Sequence, residues 1–269
     1  MKTETIHLKE IYPFLGDDGC DPIVDMYLPY NMTEMHRENR KRPCMIVCPG
    51  GGYAMCSQRE AEPIAMHFLP DGFNVFVIYY SVAPHRFPTQ MREVAATVEL
   101  IYKNADNWNC DVSKLAIIGF SAGGHLALML GTHTPTENLG YDVIGEESSI
   151  PNAMILGYPV TTLGDGTYYT MPENFLGKDY KNQDEIKKYS YETCVENAPP
   201  AYIFYSVRDS MVNYTKNSIA LANAMKEAGK KVEISEFSDG GHGVGLGSYH
   251  AEFSTWLKKS VDFLDEVFG

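Results

Sequence analysis

The chain has no apolar stretch approaching the roughly 18 residues that cross a bilayer, which excludes an integral helical membrane protein. Its start, Met1-Lys2-Thr3-Glu4-Thr5-Ile6-His7, lacks the apolar core of a secretion signal, so a cytoplasmic protein is expected. Cysteine is scarce. Cys20, Cys44, Cys48, Cys56, Cys110 and Cys194 are too few for a disulfide scaffold of this size, and none shows C-x-x-C spacing. Cys44 and Cys48 lie in an apolar run and read as buried thiols rather than metal ligands, so no metal site is expected. Basic residues are the minority, 22 against 35 acidic ones, for a net charge of −13. That sign disfavours nucleic acid and anionic membrane surfaces as partners. Internal repeats and low-complexity segments are also absent, which excludes solenoids and disordered arrays.

What is present is ordinary globular composition, 44% apolar and 21% charged over 269 residues. A chain of this mass buries roughly 73% of its extended surface on folding and can build a core without staples. A single domain over residues 1–269 is expected. Strand patterns fall at residues 5–12 and 23–28, split by the turn-forming Gly16-Asp17-Asp18-Gly19, and a polar loop follows from Asn31 to Pro43. Further strand patterns lie at 44–48, 75–80, 115–120, 154–158, 202–205 and 232–237, several of them near-continuous apolar runs suited to strands covered on both faces. Met91, Val94, Ala95, Val98, Ile101 and Tyr102 make a helical stripe between two of these strands. Helices are also expected from Asn217 to a stop at Gly229, and from Phe253 to Phe268. The alternation predicts an α/β fold, a mostly parallel sheet with helices on both faces. Residues 161–200 break the rhythm and read as a small insertion lining the site, with Tyr168, Tyr169, Phe175 and Tyr180 as candidate flat faces for substrate.

The sharpest local signal is Gly119-Phe120-Ser121-Ala122-Gly123, a G-x-S-x-G between an apolar strand and an apolar helix. A serine on such a turn presents its hydroxyl at the strand's carboxyl end, against the N–H groups of the helix start. The hydroxyl needs a base, and the base needs an orienting acid. His242, in the loop Asp239-Gly240-Gly241-His242-Gly243, is the candidate base. His125, one turn after Ser121, reads as a packing residue, and His7, His36, His67, His85, His133 and His250 lack a glycine-rich loop at a strand end. Asp209, after the apolar run 201–205, is the candidate acid, in the chain order Ser–Asp–His; Asp239 is the rival, better suited to shaping its turn. An oxyanion needs converging backbone donors, here Ala122 N–H and the loop Pro49-Gly50-Gly51-Gly52-Tyr53. That loop has neither Gly-Lys-Ser/Thr nor G-x-G-x-x-G spacing, so it is not a phosphate loop.

Together with Tyr80-Ser81-Val82-Ala83-Pro84, Phe87-Pro88, Pro199-Pro200-Ala201-Tyr202 and Gly241-His242-Gly243, these motifs resemble the α/β-hydrolase superfamily. Within it the chain is most similar to hormone-sensitive-lipase-like esterases of the bacterial acetyl-xylan and feruloyl esterase type. The resemblance runs from about Cys44 to Phe268. It implies an α/β-hydrolase fold with Ser121 as nucleophile, His242 as base, Asp209 as its partner, and Gly51, Gly52 and Ala122 as oxyanion donors. It also implies a serine esterase acting through an acyl-enzyme, with no cofactor. Pro49 stands where such lipases often carry a histidine, and only 49 residues precede Gly50, too few for a long cap. The expected partner is therefore a small-molecule or oligosaccharide ester, with short acyl groups on sugars or small alcohols; a homo-oligomer is compatible with the sequence. The alternatives are a prolyl-oligopeptidase-type peptidase, against which stands the missing propeller domain, and a non-catalytic hydrolase-fold ligand receptor, which is expected to lose a triad member.

Overall fold

The computed structural model describes residues 1–16, 19–132, 150–167, 170–192 and 194–269. The chain begins with β1 (Lys2–His7), α1 (Leu8–Ile11) and β2 (Ile23–Leu28). The first strand is thus earlier and shorter than the sequence pattern over 5–12 suggested. Leu8, Tyr12 and Leu15, spaced i, i+4, i+7, are all buried, so a helical stripe takes over where the strand was expected to continue. Asp17 and Asp18 of the expected turn lie outside the described residues.

From there strand and helix alternate: β3 (Arg42–Cys48), α2 (Glu62–Phe68), β4 (Asn74–Tyr79), α3 (Thr89–Lys103), β5 (Cys110–Phe120) and α4 (Ala122–Thr132). β6 (Ala153–Gly157), α5 (Met171–Leu176), α6 (Gln183–Lys188), β7 (Ala201–Ser206), α7 (Ala220–Glu227), β8 (Val232–Phe237) and α8 (Trp256–Phe268) complete the order. Among the described residues these strands form one eight-stranded sheet, ordered β1-β2-β4-β3-β5-β6-β7-β8. β2 pairs antiparallel with both β1 and β4, and every later pairing is parallel. The α/β class is therefore the one expected, a mostly parallel sheet sandwiched by helices.

Strand alternation divides the core in two. Cys44, Ile46, Cys48, Leu115 and Ile117 face one layer with residues of α3, α4 and α7. Met45, Val47, Ala116, Ile118 and Phe120 face the other, against α2 and α8. There Phe204 stacks on Trp256 at 4.5 Å with 9° between the rings, fixing α8 against the sheet.

The helix expected from Asn217 opens with a π-helical turn, Thr215–Ile219, and becomes α7 only at Ala220. It stops as expected at Gly229, whose φ of +70° few other residues adopt. The buried Asn217 carboxamide accounts for the turn's position. Its oxygen accepts from Thr161 N–H (2.7 Å) and Thr162 N–H (3.2 Å), and its nitrogen donates to Gly166 O (3.0 Å), pinning the start of the 161–200 segment. That segment carries α5 and α6. Tyr168 and Tyr169 lie outside the described residues. Phe175 is not a flat face for substrate: it is fully buried, packed on Tyr53 (4.9 Å) and His125 (5.1 Å). Tyr180 pairs with Lys181 on the surface.

Candidate active site

In an open parallel sheet the loops at the carboxyl ends of the strands converge, and the residues expected from sequence sit on those loops. Ser121 leaves β5 with φ of +52°, a left-handed conformation that is strained for a residue with a side chain. Three hydrogen bonds hold it there. Ser121 N–H donates to Gly157 O (3.0 Å), and Ser121 O accepts from Val160 N–H (3.0 Å) and His125 N–H (3.1 Å). The flanking glycines are required by contact. A Cβ at Gly119 would lie 2.2 Å from Gly123 O, and one at Gly123 would lie 2.1 Å from Cys48 O. Without side chains there, the start of α4 meets the end of β3 directly.

Asp209 follows β7, and the loop after β8 brings His242 between it and the serine. His242 Nδ1 lies 2.7 Å from Asp209 Oδ2, and His242 Nε2 lies 2.8 Å from Ser121 Oγ. A carboxylate only accepts, so Nδ1 carries the hydrogen and Nε2 is left to receive the serine proton. Asp209 Oδ1 accepts from Met211 N–H and Val212 N–H, both 2.9 Å. The carboxylate is held on both oxygens, and its side chain is 1% exposed. Such a line can take a proton from the hydroxyl as its oxygen attacks an electrophile, and return it later. The rival acid does something else: Asp239 accepts from Glu252 N–H (3.1 Å) and Phe253 N–H (2.8 Å), holding the turn that leads into α8.

His125 is also accounted for. Its Nε2 donates to Tyr189 O (2.8 Å), so its Nδ1 accepts from Tyr53 O–H (2.9 Å). Burial pushes this imidazole down to about 4, which keeps it neutral, and it packs rather than joining Ser121. His7, His36, His67, His85 and His250 do not line the cavity at Ser121, and His133 lies outside the described residues.

Gly51 and Gly52 stand across the cavity, with φ of +130° and +61°. Among the described residues the N–H groups of Gly51, Gly52 and Ala122 have no acceptor. The loop is supported without the histidine that Pro49 replaces. Tyr80 O–H donates to Pro49 O (2.6 Å), Gly50 N–H to Glu60 Oε2 (2.9 Å), and Asn174 Nδ2 to Gly52 O (2.9 Å). The cavity measures about 260 Å³, and Met55, Val160, Met171 and Met211 give it apolar walls. From the 161–200 segment it receives Thr170, Met171 and Asn174.

Three residues here escaped the sequence reading: Glu60, Asn174 and Tyr158. Tyr158 follows β6, and its ring lies 5.0 Å from that of His242. Burial and the adjacent Glu60 carboxylate raise its hydroxyl pKa well above the ordinary value, so it remains a donor. No local motif marks any of the three, and each makes a contact with chain far away in sequence, Tyr158 with Glu60 (98 apart) and Asn174 with Gly52 (122 apart).

The profile of the BD-FAE family matches residues 23–225, a span holding Gly51, Gly52, Ser121 and Asp209. The chain belongs to the BD-FAE family of α/β-hydrolases. Its curated relatives include esterases. The chain is 32% identical over 257 residues to the acetylxylan esterase of Xylanibacter ruminicola, covering 91% of this chain and 49% of that protein. It is 35% identical over 239 residues to endo-1,4-beta-xylanase B of Butyrivibrio fibrisolvens, covering 86% of this chain and 36% of that one. It therefore spans between a third and a half of the length of these curated relatives. Among solved structures, an acetyl ester-xyloside bifunctional hydrolase from Caldicellulosiruptor lactoaceticus superposes with a TM-score of 0.87 at 26% identity, over 98% of this chain and 96% of that one. No helix among the described residues is long and apolar enough to cross a membrane.

Proposed function

We propose that this protein is a serine carboxylic-ester hydrolase working through an acyl-enzyme, with short-acyl, acetyl-type esters of sugars or small alcohols as substrates. The observation that carries the reading is the unbroken line from Asp209 through His242 to Ser121 Oγ, in a cavity that Gly51 and Gly52 also line, with the N–H groups of Gly51, Gly52 and Ala122 lacking an acceptor among the described residues. Ser121 Oγ attacks the ester carbonyl as His242 Nε2 takes its proton. The carbonyl oxygen becomes an oxyanion and accepts from the backbone N–H groups of Gly51, Gly52 and Ala122. Asp209 stabilises the imidazolium. The imidazolium then protonates the departing alkoxide as the C–O bond to it breaks, leaving acyl-Ser121. Water, deprotonated by His242, attacks that acyl group, and collapse of the second tetrahedral intermediate returns the proton to Ser121 and frees the acid.

The substrate class is supported by size and by kinship. About 260 Å³ lies below the roughly 300–1,000 Å³ of drug-sized ligand sites, which suits a short acyl group. Kinship with an acetylxylan esterase supports acetyl as the acyl group. The test is kcat/KM across acetyl, butyryl, octanoyl and palmitoyl p-nitrophenyl esters, with acetylated xylo-oligosaccharides and a prolyl anilide alongside. Acetyl and butyryl esters are expected to lead. A palmitoyl optimum overturns the short-acyl assignment, and faster cleavage of the anilide makes the protein a peptidase.

A further inference from the structure

Glu60 lines the cavity but has no part in the mechanism above. Glu60 is 2% exposed, yet among the described residues no lysine, arginine or histidine pairs with its carboxylate. Burying a carboxylate costs several kcal/mol unless strong donors meet it, so a site needing only packing would favour an apolar residue. Two donors do meet it, and they come from opposite sides of the active site. Oε2 accepts from Gly50 N–H (2.9 Å), at the root of the Gly51–Gly52 loop. Oε1 accepts from Tyr158 O–H (2.5 Å). The Tyr158 oxygen in turn accepts from Gly245 N–H (3.0 Å), three residues beyond His242.

The anchorage at each end is tight. Glu60 N–H donates to Ser57 O (3.1 Å), and Ser57 N–H donates to Gly50 O (2.9 Å), so the chain folds back beneath the glycine loop it supports. A Cβ at Gly50 would lie 2.7 Å from Glu60 Oε2, so glycine is what permits the approach. Tyr158 has φ of +35°, donates its own N–H to Phe204 O (2.6 Å), and follows the Gly157 carbonyl that holds Ser121 N–H.

From this arrangement we infer that Glu60 is a positioning residue: one buried carboxylate, acting directly on Gly50 and through Tyr158 on Gly245, sets the oxyanion loop and the histidine loop relative to one another. The inference rests on the acyl-enzyme reading and adds to it a single tie between its two halves. A carboxylate suits the task because it only accepts, and can receive a donor on each oxygen. A glutamine in the same place cannot. If its oxygen faces Gly50 N–H, its NH2 faces the Tyr158 oxygen and leaves the phenolic hydrogen without that acceptor. If it flips, its NH2 confronts Gly50 N–H.

Donors that engage an oxyanion act on the transition state, so displacing them lowers kcat and spares KM. Glu60→Gln and Tyr158→Phe, the second nearly isosteric, are each expected to lower kcat on p-nitrophenyl acetate by about 10–100-fold, with KM within about twofold. Because they cut one chain of contacts, the double variant should be no more than about threefold worse than the weaker single one. The inhibition constant of an alkyl boronic acid, which forms a tetrahedral adduct on serine, should rise in proportion to the loss of kcat. A merely structural role would lower the melting temperature without this kcat–KM split or the matching loss of boronate affinity. Wild-type kcat in both variants, additive losses, a rise in KM instead, or failure of both variants to fold overturns the inference. Its failure is separable from that of the acyl-enzyme reading: that reading falls if the wild type hydrolyses no ester or Ser121→Ala retains activity, and the Glu60 assignment alone falls if Ser121→Ala is inactive and these variants are not impaired.

Discussion

Replacing His125 by glutamine should change how stability depends on pH far more than it changes stability at neutral pH. In the folded protein burial pushes the His125 imidazole from its ordinary 6.5 down to about 4, against a smaller upward effect of the Tyr189 carbonyl. The unfolded chain therefore binds a proton at this site below about pH 6.5 that the folded chain refuses until about pH 4. Between those values the unfolded state holds more protons, so stability falls as pH falls. At about 1.36 kcal/mol per pH unit the loss reaches about 3 kcal/mol by pH 4, a large share of the roughly 5–15 kcal/mol that holds a domain together. A glutamine can keep both hydrogen bonds, accepting from Tyr53 O–H and donating to Tyr189 O, but has nothing to titrate. The assay is urea unfolding of both proteins at several pH values from about 7.5 to 4. Carboxylates shared by the two proteins cancel in the difference. The wild type's advantage over His125→Gln, whatever its size at neutral pH, should shrink by about 3 kcal/mol across that range. Parallel curves would refute the buried, neutral imidazole.

The two aspartates near His242 should separate cleanly. Asp209→Asn is expected to reduce kcat by about 10³–10⁴-fold because it loses both the tautomer lock and the counter-charge, whereas Asp239→Asn should stay within about threefold and lower the melting temperature instead; equal losses in kcat would contradict the assignment. Gly123→Ala puts a Cβ 2.1 Å from Cys48 O and 2.4 Å from Pro49 O, both backbone atoms, and should destabilise by at least the roughly 1–3 kcal/mol of an overpacked core. Gly241→Ala, with nothing within 4 Å, should melt like the wild type although it adjoins His242. Thermal denaturation of the two variants side by side checks both, and equal melting temperatures would contradict the contact argument.

The features legible in the sequence are those whose cause is local. G-x-S-x-G between an apolar strand and helix carries much of its own geometry: Gly119 is demanded by Gly123 O of the same turn, although Gly123 is demanded by Cys48 O at the end of the neighbouring β3. The period-2 and period-3.6 patterns located β2 and α3 well. The first strand misled because residues 5–12 satisfy both periods, and burial of Leu8, Tyr12 and Leu15 decided in favour of a helical turn. Glu60 was illegible for a different reason. A charged residue in a polar stretch reads as surface, and only tertiary structure reveals that Gly50 N–H and Tyr158 O–H converge on it. Asn217 reads as helical, but its hold on the 161–200 segment depends on chain 50 or more residues away, as the Thr162 bond shows (55 apart). The aromatics of that segment misled by type. Phe175 completes a buried cluster with Tyr53 and His125, and the cavity takes Thr170, Met171 and Asn174 instead.

The central claim is that Ser121 is the nucleophile, driven by His242. The most direct test is intact-protein and peptide mass spectrometry after exposure to a serine-directed phosphonate, with the wild type, Ser121→Ala and His242→Ala treated in parallel. Ser121→Ala keeps a Cβ at the strained φ of +52° and so changes only the hydroxyl. One adduct should form on the wild type, on the peptide carrying Ser121, together with loss of ester hydrolysis. It should be absent from Ser121→Ala and slower by orders of magnitude in His242→Ala. An adduct on another residue, or an alanine variant that is still labelled and still active, would contradict the account.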